Sequence, residues 1–458
     1  MSEAGRLAPA PRTLLVGFFV ALLIGAILRL LWLSDMEYKV DEAWTYDRVE
    51  AFRHTRQLPG LGMPSNAGLP NAGLSFWVFA VLGRLVAAGD PVALARAIGV
   101  VNIVALVLLA LFAYRTVDPP ARAPWLWSVS LVSVNPFAVL FSRKIWPPDI
   151  LPLFTVGFLF GWWNRQRWWG AMLWGLVGAL LGQIELWGFS FAFAFFVVTL
   201  VFARKSVCWW AWTLGSTLGS LPMLGWLWAL LHPHSAGATG SGWHLAPDFV
   251  MFVPLWFNFA SGINLSYSLG ADMLPFLASP RIFGLPSFFG ALCVAVLAAC
   301  LGVTLTRIIR QFAAQPAVMR ARLFGSRSST ALGLYAAFGV YGLGFAASPR
   351  AVHMHYLVFA FCLPALSFVY LIRAGTRANR LCASSRQILF AFWLAQAGLS
   401  FAFLGYIHHA KTIDGDYGVP YGEGSVGTRA IQGTYRRPLE NPRPGPALEP
   451  AGESPETP

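Results

Sequence analysis

Long apolar runs separated by short polar or basic joints set the pattern of this chain. The first is TLLVGFFVALLIGAILRLLWL, beginning at residue 13. Others fall at about 94–114, 123–142, 150–164, 169–184, 187–203, 207–231, 283–306, 329–347, 352–372 and 387–406. Runs approaching twenty apolar residues match the hydrocarbon thickness of a bilayer, and a backbone there must satisfy its own hydrogen bonds, which predicts helices. The first run is too long for a signal-peptide core and lacks a small-residue cleavage site, so it is expected to stay as the first span. One run differs. GLSFWVFAVLGRLVAAG, 73–89, is short, carries Arg84 and alternates apolar with small residues, as a helix lying in the interface does.

Charge decides between crossing and lying flat for that run. If 73–89 lies on the outer surface and the N-terminus is cytoplasmic, the inner joints hold Arg115 and Arg122, Arg165 and Arg167, Arg204 and Lys205, the run RIIRQFAAQPAVMRARLFGSR, and RAGTRANRLCASSR. All are basic, with Glu3 and Asp118 the only inner acids. Were 73–89 to cross, every later joint would invert and the positive-inside pattern would fail. The expectation is an all-α polytopic membrane protein with about 11 transmembrane helices, the N-terminus inside and the C-terminus outside, in a membrane such as the bacterial inner membrane. In domain terms, 1–410 is the transmembrane unit, with a first outer loop at 35–92 bearing interfacial helices and a long outer loop at 232–282. Residues 411–458 form an outer tail, disordered in composition from about 436.

Composition agrees with the pattern. With 57% hydrophobic and 12% charged residues, the chain is too apolar for a soluble protein of 458 residues. The net charge of +13 is largely topological, which argues against nucleic acid as a partner. Five scattered cysteines form no CxxC pair and read as packing residues.

Chemistry gathers on the outer side. The stretch YKVDEAWTYD, 38–47, sets Asp41, Glu42 and Asp47 among Trp44, Tyr38 and Tyr46. FSRKIWPPDILPLF, 141–154, brings Arg143 and Lys144 out of one span and Asp149 into the next. SPRAVHMHYLVFAFCLPAL, 348–366, carries Arg350, His353, His355 and Tyr356, and the turn GQIELWG carries Glu185. A carboxylate at the hydrocarbon edge is costly unless partnered, so these acids are functional candidates. Each has a plainer reading. Asp149 caps the helix starting at Ile150, Arg143 and Lys144 meet lipid headgroups, and Glu185 is a turn acid. Two histidines at i and i+2 of a helix diverge, so His353 and His355 are a poor metal pair. The sequence shows no specific metal-ligand spacing and implies no cofactor, with a divalent cation the one candidate left open.

The order of a first span, an outer Asp-Glu loop, an interfacial helix, two spans and S-R-K-x-W-x-x-D resembles the GT-C superfamily of membrane glycosyltransferases. The likeness is to the branch holding protein O-mannosyltransferases and lipid A aminoarabinose transferases. It covers residues 10–200 and, more loosely, the H-x-H-Y…L-P segment near 353–364. Many relatives have His-Pro-Pro before the interfacial helix, where this chain has LPNAG, 69–73. The resemblance implies a GT-C-like bundle that moves a sugar from a polyprenyl-phosphate carrier to an acceptor, unidentified as protein, lipid or glycan, among membrane lipids at the outer face. In such a reaction positive charge builds on the sugar ring, the acceptor hydroxyl loses a proton to a base, and the departing phosphate needs fixed cations. Asp41 is expected as base, with Glu42 and Asp149 beside it in the catalytic set. Arg143 and Lys144, with Arg350 or His355 opposite, are expected at the phosphate. Trp44, Tyr46, Tyr356 and Glu185 are expected to bind substrate, and Trp146 to stack on sugar. A transporter or flippase of a lipid-linked or small solute is the alternative. Such proteins place binding charges near the midplane and often repeat their halves, whereas these charges crowd one face and no half-repeat is visible.

Overall fold

The computed structural model describes residues 12–63, 70–87, 89–231, 249–346, 353–376, 379–410 and 412–422. In order these form α1 (Arg12–Leu30), α2 (Val40–Thr55), α3 (Leu74–Leu85), α4 (Pro91–Arg115), α5 (Pro119–Val134), α6 (Pro136–Leu140) and α7 (Leu151–Trp163). They continue as α8 (Trp168–Ile184), α9 (Trp187–Ala203), α10 (Trp209–Ser220), α11 (Leu224–Leu231), α12 (Phe249–Ser261), α13 (Ser266–Leu269) and α14 (Met273–Ala278). A hairpin, β1 (Arg281–Ile282) and β2 (Leu285–Pro286), precedes α15 (Phe289–Ala314) and α16 (Pro316–Phe324). α17 (Ser329–Leu334) continues through a π-helical turn at Tyr335–Val340 into α18 (Tyr341–Ala346), and α19 (Leu363–Ala374) and α20 (Ala383–His409) follow.

Each apolar run of the sequence is helical. Among the described residues, five helices are long and apolar enough to cross a bilayer: Pro91–Arg115, Trp187–Ser206, Trp209–Leu231, Phe289–Ala314 and Ala383–His409. The turn Met354–Ala360 and α19 together make a sixth, bent by 74°. Large side chains such as Leu23, Leu111, Phe193 and Leu305 stand exposed along the long helices, the surface that an integral membrane protein offers to lipid. The run at 73–89 gives only the 12-residue α3, short of the roughly 20 residues a crossing needs. Two elements differ from the sequence reading. YKVDEAWTYD is not a loop but the opening of α2, and the long segment 232–282 contains the 13-residue α12. Phe252, Trp256 and Phe259 of α12 are buried.

Packing follows from small residues and from the need to satisfy backbone groups. α8 and α10 lie close because glycines line their seam. A Cβ at Gly215 would stand 2.0 Å from the Met172 carbonyl oxygen, and one at Gly175 would stand 2.2 Å from that of Trp212. Helix breaks inside the bundle are capped by side chains. Pro136 has no N–H to give the Val132 carbonyl, and Arg29 of α1 reaches across to the carbonyls of Val132, Ser133 and Ala138. The Asn135 side chain accepts from the Ala138 N–H and donates to Phe259 and Ala260 at the end of α12. Gln396 donates to Ala260 and Ser261. The last turn of α12 thus ends in the protein interior with carbonyls paired.

Candidate functional site

At one end of the bundle, several elements meet around one buried ammonium. After α1, a 3-10 turn at Leu33–Asp35 and the short segment 36–39 lead to α2, whose first turn holds Asp41 and Glu42 where the helix N-terminus favours negative charge. Glu42 also caps the helix by accepting the Lys39 N–H at 2.9 Å. From the turn after α6 comes Lys144. Its Nζ stands 3.0 Å from Glu37 and 3.6 Å from Glu42, with all three side chains almost wholly buried. Lys39 meets the other Glu37 oxygen at 2.6 Å and Asp416 at 3.0 Å. Asp149 is 0% exposed, and neither carboxyl oxygen has a hydrogen-bond partner. Its backbone is fixed by the Asn102 side chain, which donates to the Asp149 carbonyl at 2.8 Å.

Aromatic rings frame this charge. Lys144 Nζ sits 4.4 Å from the Trp146 ring centroid, and Trp146 meets His355 edge-on at 4.6 Å. His355 lies 4.2 Å from Tyr356, which lies 5.3 Å from Trp187 at the start of α9. Glu185, in the turn just before α9, lies close enough to Asp41 to feel its charge. Asp41 itself is exposed, unlike Glu42 and Asp149, and has the Trp146 indole within hydrogen-bonding range.

Burial does most to set protonation here. Burial outweighs the attraction of Lys144 for Glu42, whose carboxyl is pushed up to about 7. Burial, with Asp41 nearby, takes Glu185 to about 7 as well. Asp149 is raised well above the usual carboxylate range, mainly by burial. Asp41 is raised by burial and pulled back by Lys144, Trp146 and Lys39. Burial alone would lower Lys144, but Glu37, Glu42 and Asp149 outweigh it and hold the ammonium charged. The arrangement offers an accessible base beside carboxyls able to keep protons near neutrality. Among the described residues, no three His, Cys, Asp or Glu side chains converge as a metal-ligand group.

The other expected residues are placed as follows. Arg143, expected beside Lys144 at a phosphate, turns the opposite way. Its guanidinium donates to the Leu28 and Trp32 carbonyls at 2.8 Å each, tying the loop to the end of α1. Trp44 packs edge-on against Phe76 of α3 with Arg48 over its ring. Tyr46 is half-buried farther along α2. Arg350 lies outside the described residues. Glu37, Lys39 and Asp416 were not singled out from sequence. Glu37 sits one residue before the acidic stretch, and the charge alternation E-Y-K-V-D-E was its one local signal. Asp416 arrives on a C-terminal strap, 412–422. Tyr417 is buried there with its hydroxyl donating to the Asp35 carbonyl, and the Tyr421 N–H donates to the Met36 carbonyl at 3.0 Å.

A comparison with protein-family models gives no match, and neither does one with curated proteins. Among solved structures, the chain is similar to the oligosaccharyltransferase of Archaeoglobus fulgidus in its apo form. The TM-score is 0.45 with 13% identity, over 86% of this chain and 55% of that one. The chain thus spans about half that protein's length, and a likeness of this degree carries no inference about activity.

Removing one partner of a buried ion pair strands the other. Lys144→Met is expected to destabilise the protein by about 3–5 kcal/mol, read as a lowered unfolding temperature in detergent. Adding Glu37→Gln and Glu42→Gln should restore most of the loss. An unchanged melt for Lys144→Met would remove Lys144 from the centre of the network.

Proposed function

We propose that this protein is a membrane glycosyltransferase of GT-C type that moves a sugar from a polyprenyl-phosphate carrier to an acceptor at the outer membrane face. The observation that carries the reading is Asp41. It is the accessible carboxylate at the rim of a buried Glu37–Lys144–Glu42 network, beside the Trp146 ring. In this reading Asp41 takes the acceptor hydroxyl's proton as the anomeric C–O bond to phosphate breaks. Trp146 offers a stacking face to the sugar, and Glu185 and Asp149 hydrogen-bond its hydroxyls. The departing phosphate keeps its charge and is met by Lys39, the more exposed of the two ammoniums. Arg143 serves by holding the loop against α1 rather than by touching phosphate.

A transporter reading draws on one feature, the 74° break between Met354–Ala360 and α19 beside the charges. Sugar transfer by purified protein in detergent, where no compartment exists, separates the two readings. A transporter gives no product there.

Asp41→Asn keeps the size of the side chain and removes the base. Transfer is expected to fall by about 10²–10⁴-fold while binding of the polyprenyl-phosphate sugar, measured separately, holds. Transfer at the wild-type rate would exclude Asp41 as base, and Glu185 or Asp149 would be next.

The base must be ionised, so activity should be lost as pH falls through the Asp41 pKa. Lys39 helps hold that pKa down. Removing its charge in Lys39→Gln disfavours the carboxylate, so the acid limb of the rate profile should move to higher pH. A shift to lower pH, or none, would mean that the limb belongs to another group.

The eleven-crossing topology belongs to the same proposal. In a background carrying Cys382→Ser, an impermeant thiol reagent added outside should label Leu58→Cys and Phe283→Cys but not Asp118→Cys or Val318→Cys. Outside labelling at position 118 would overturn the orientation.

A further inference from the structure

We propose that the hollow between α1, α5 and α20, at the end of the bundle remote from the carboxylate cluster, binds an acidic glycerophospholipid. The hollow has a volume of about 380 Å³ and is lined by Gly17, Phe18, Leu126, Ser130, Arg386 and Trp393, among others. Its position follows from α20. His408, near the outer end of that helix, pairs with Asp35 at 2.7 Å. Arg386, in the first turn, stands about 33 Å away along the axis at 1.5 Å per residue, close to the thickness of a hydrocarbon core. The site is therefore independent of the sugar-transfer reading and needs only that the chain spans a membrane.

Three features point to a lipid with a negative head. Arg386 is exposed at the rim, and among the described residues no carboxylate pairs with it. A guanidinium in that place suits a phosphate, which it can meet with two parallel N–H bonds. Trp393 also lines the hollow, an aromatic ring of the kind that sits at the glycerol level of a bilayer interface. The remaining wall is mostly apolar, and Phe19, Leu23, Phe390 and Leu394 beside it are exposed. An acyl chain can therefore enter from the bilayer without leaving hydrocarbon. A zwitterionic lipid carries its own ammonium near the phosphate and leaves the charge of Arg386 only partly compensated.

The test is native mass spectrometry of the full-length protein in mild detergent, with phosphatidylglycerol and phosphatidylethanolamine at equal concentration. The wild type should retain phosphatidylglycerol with about tenfold preference, the worth of one charge-assisted hydrogen bond. Arg386→Gln, a change at the exposed rim, should bring that preference near unity. A Cβ at Gly17 would meet no atom within 4 Å, so Gly17→Leu should fill the hollow with the fold intact and abolish retention of both lipids. Equal retention of the two lipids by the wild type, or an undiminished preference in Arg386→Gln, would overturn the proposal. So would full retention in Gly17→Leu with an unchanged unfolding temperature.

Discussion

One end of this protein's helical bundle depends on one buried charge. Lys144 stands among Glu37, Glu42 and Asp149, nearly excluded from water. An isolated ammonium there would cost far more than any local packing could return, so the surrounding elements must deliver carboxylates to it. Glu37 comes from the segment after α1, Glu42 from α2 and Asp149 from the turn before α7. The charge thus fixes how three separate stretches of chain meet. Burial then leaves some carboxyls protonated near neutrality, while Asp41 stands open to solvent.

Inside the bundle a second constraint operates, the cost of an unpaired backbone carbonyl away from water. Several helices are broken there, at Asn135–Pro136, at the end of α12 and between Ala360 and Leu363. Long polar side chains serve the first two breaks. Arg29 and Gln396 sit in apolar helices and Asn135 at the break itself, and each donates to carbonyls that a break has released. Arg143 performs the same service at the end of α1. Polar residues within apolar runs can therefore be structural as readily as functional.

This explains what the sequence made legible. Runs of bilayer length report helices directly, because length and apolarity are properties of the run itself. α12 escaped because Pro254 and Asn258 interrupt its apolar pattern within 13 residues, and its burial depends on α18 and α19 rather than on its own composition. Acids at helix mouths were visible as a costly residue class, and the structure brings Asp41, Glu42, Lys144, Asp149, Glu185 and His355 into one region. Sequence could not tell Arg143 from Lys144, since neighbours in a turn point to opposite sides and only the fold says which faces the carboxylates. Nor could it reveal Asp416, which is joined to Lys39 across almost the whole chain.

That last link bears on how the protein is made. Lys39 lies two residues from Glu37, whereas its other partner Asp416, with Tyr417 against Asp35, follows α20. In a chain inserted from its N-terminus, Glu37, Lys39, Glu42 and Lys144 can meet early, and only the Lys39–Asp416 contact waits for the final helix. The strap at 412–422 therefore closes over a charge cluster that is already formed.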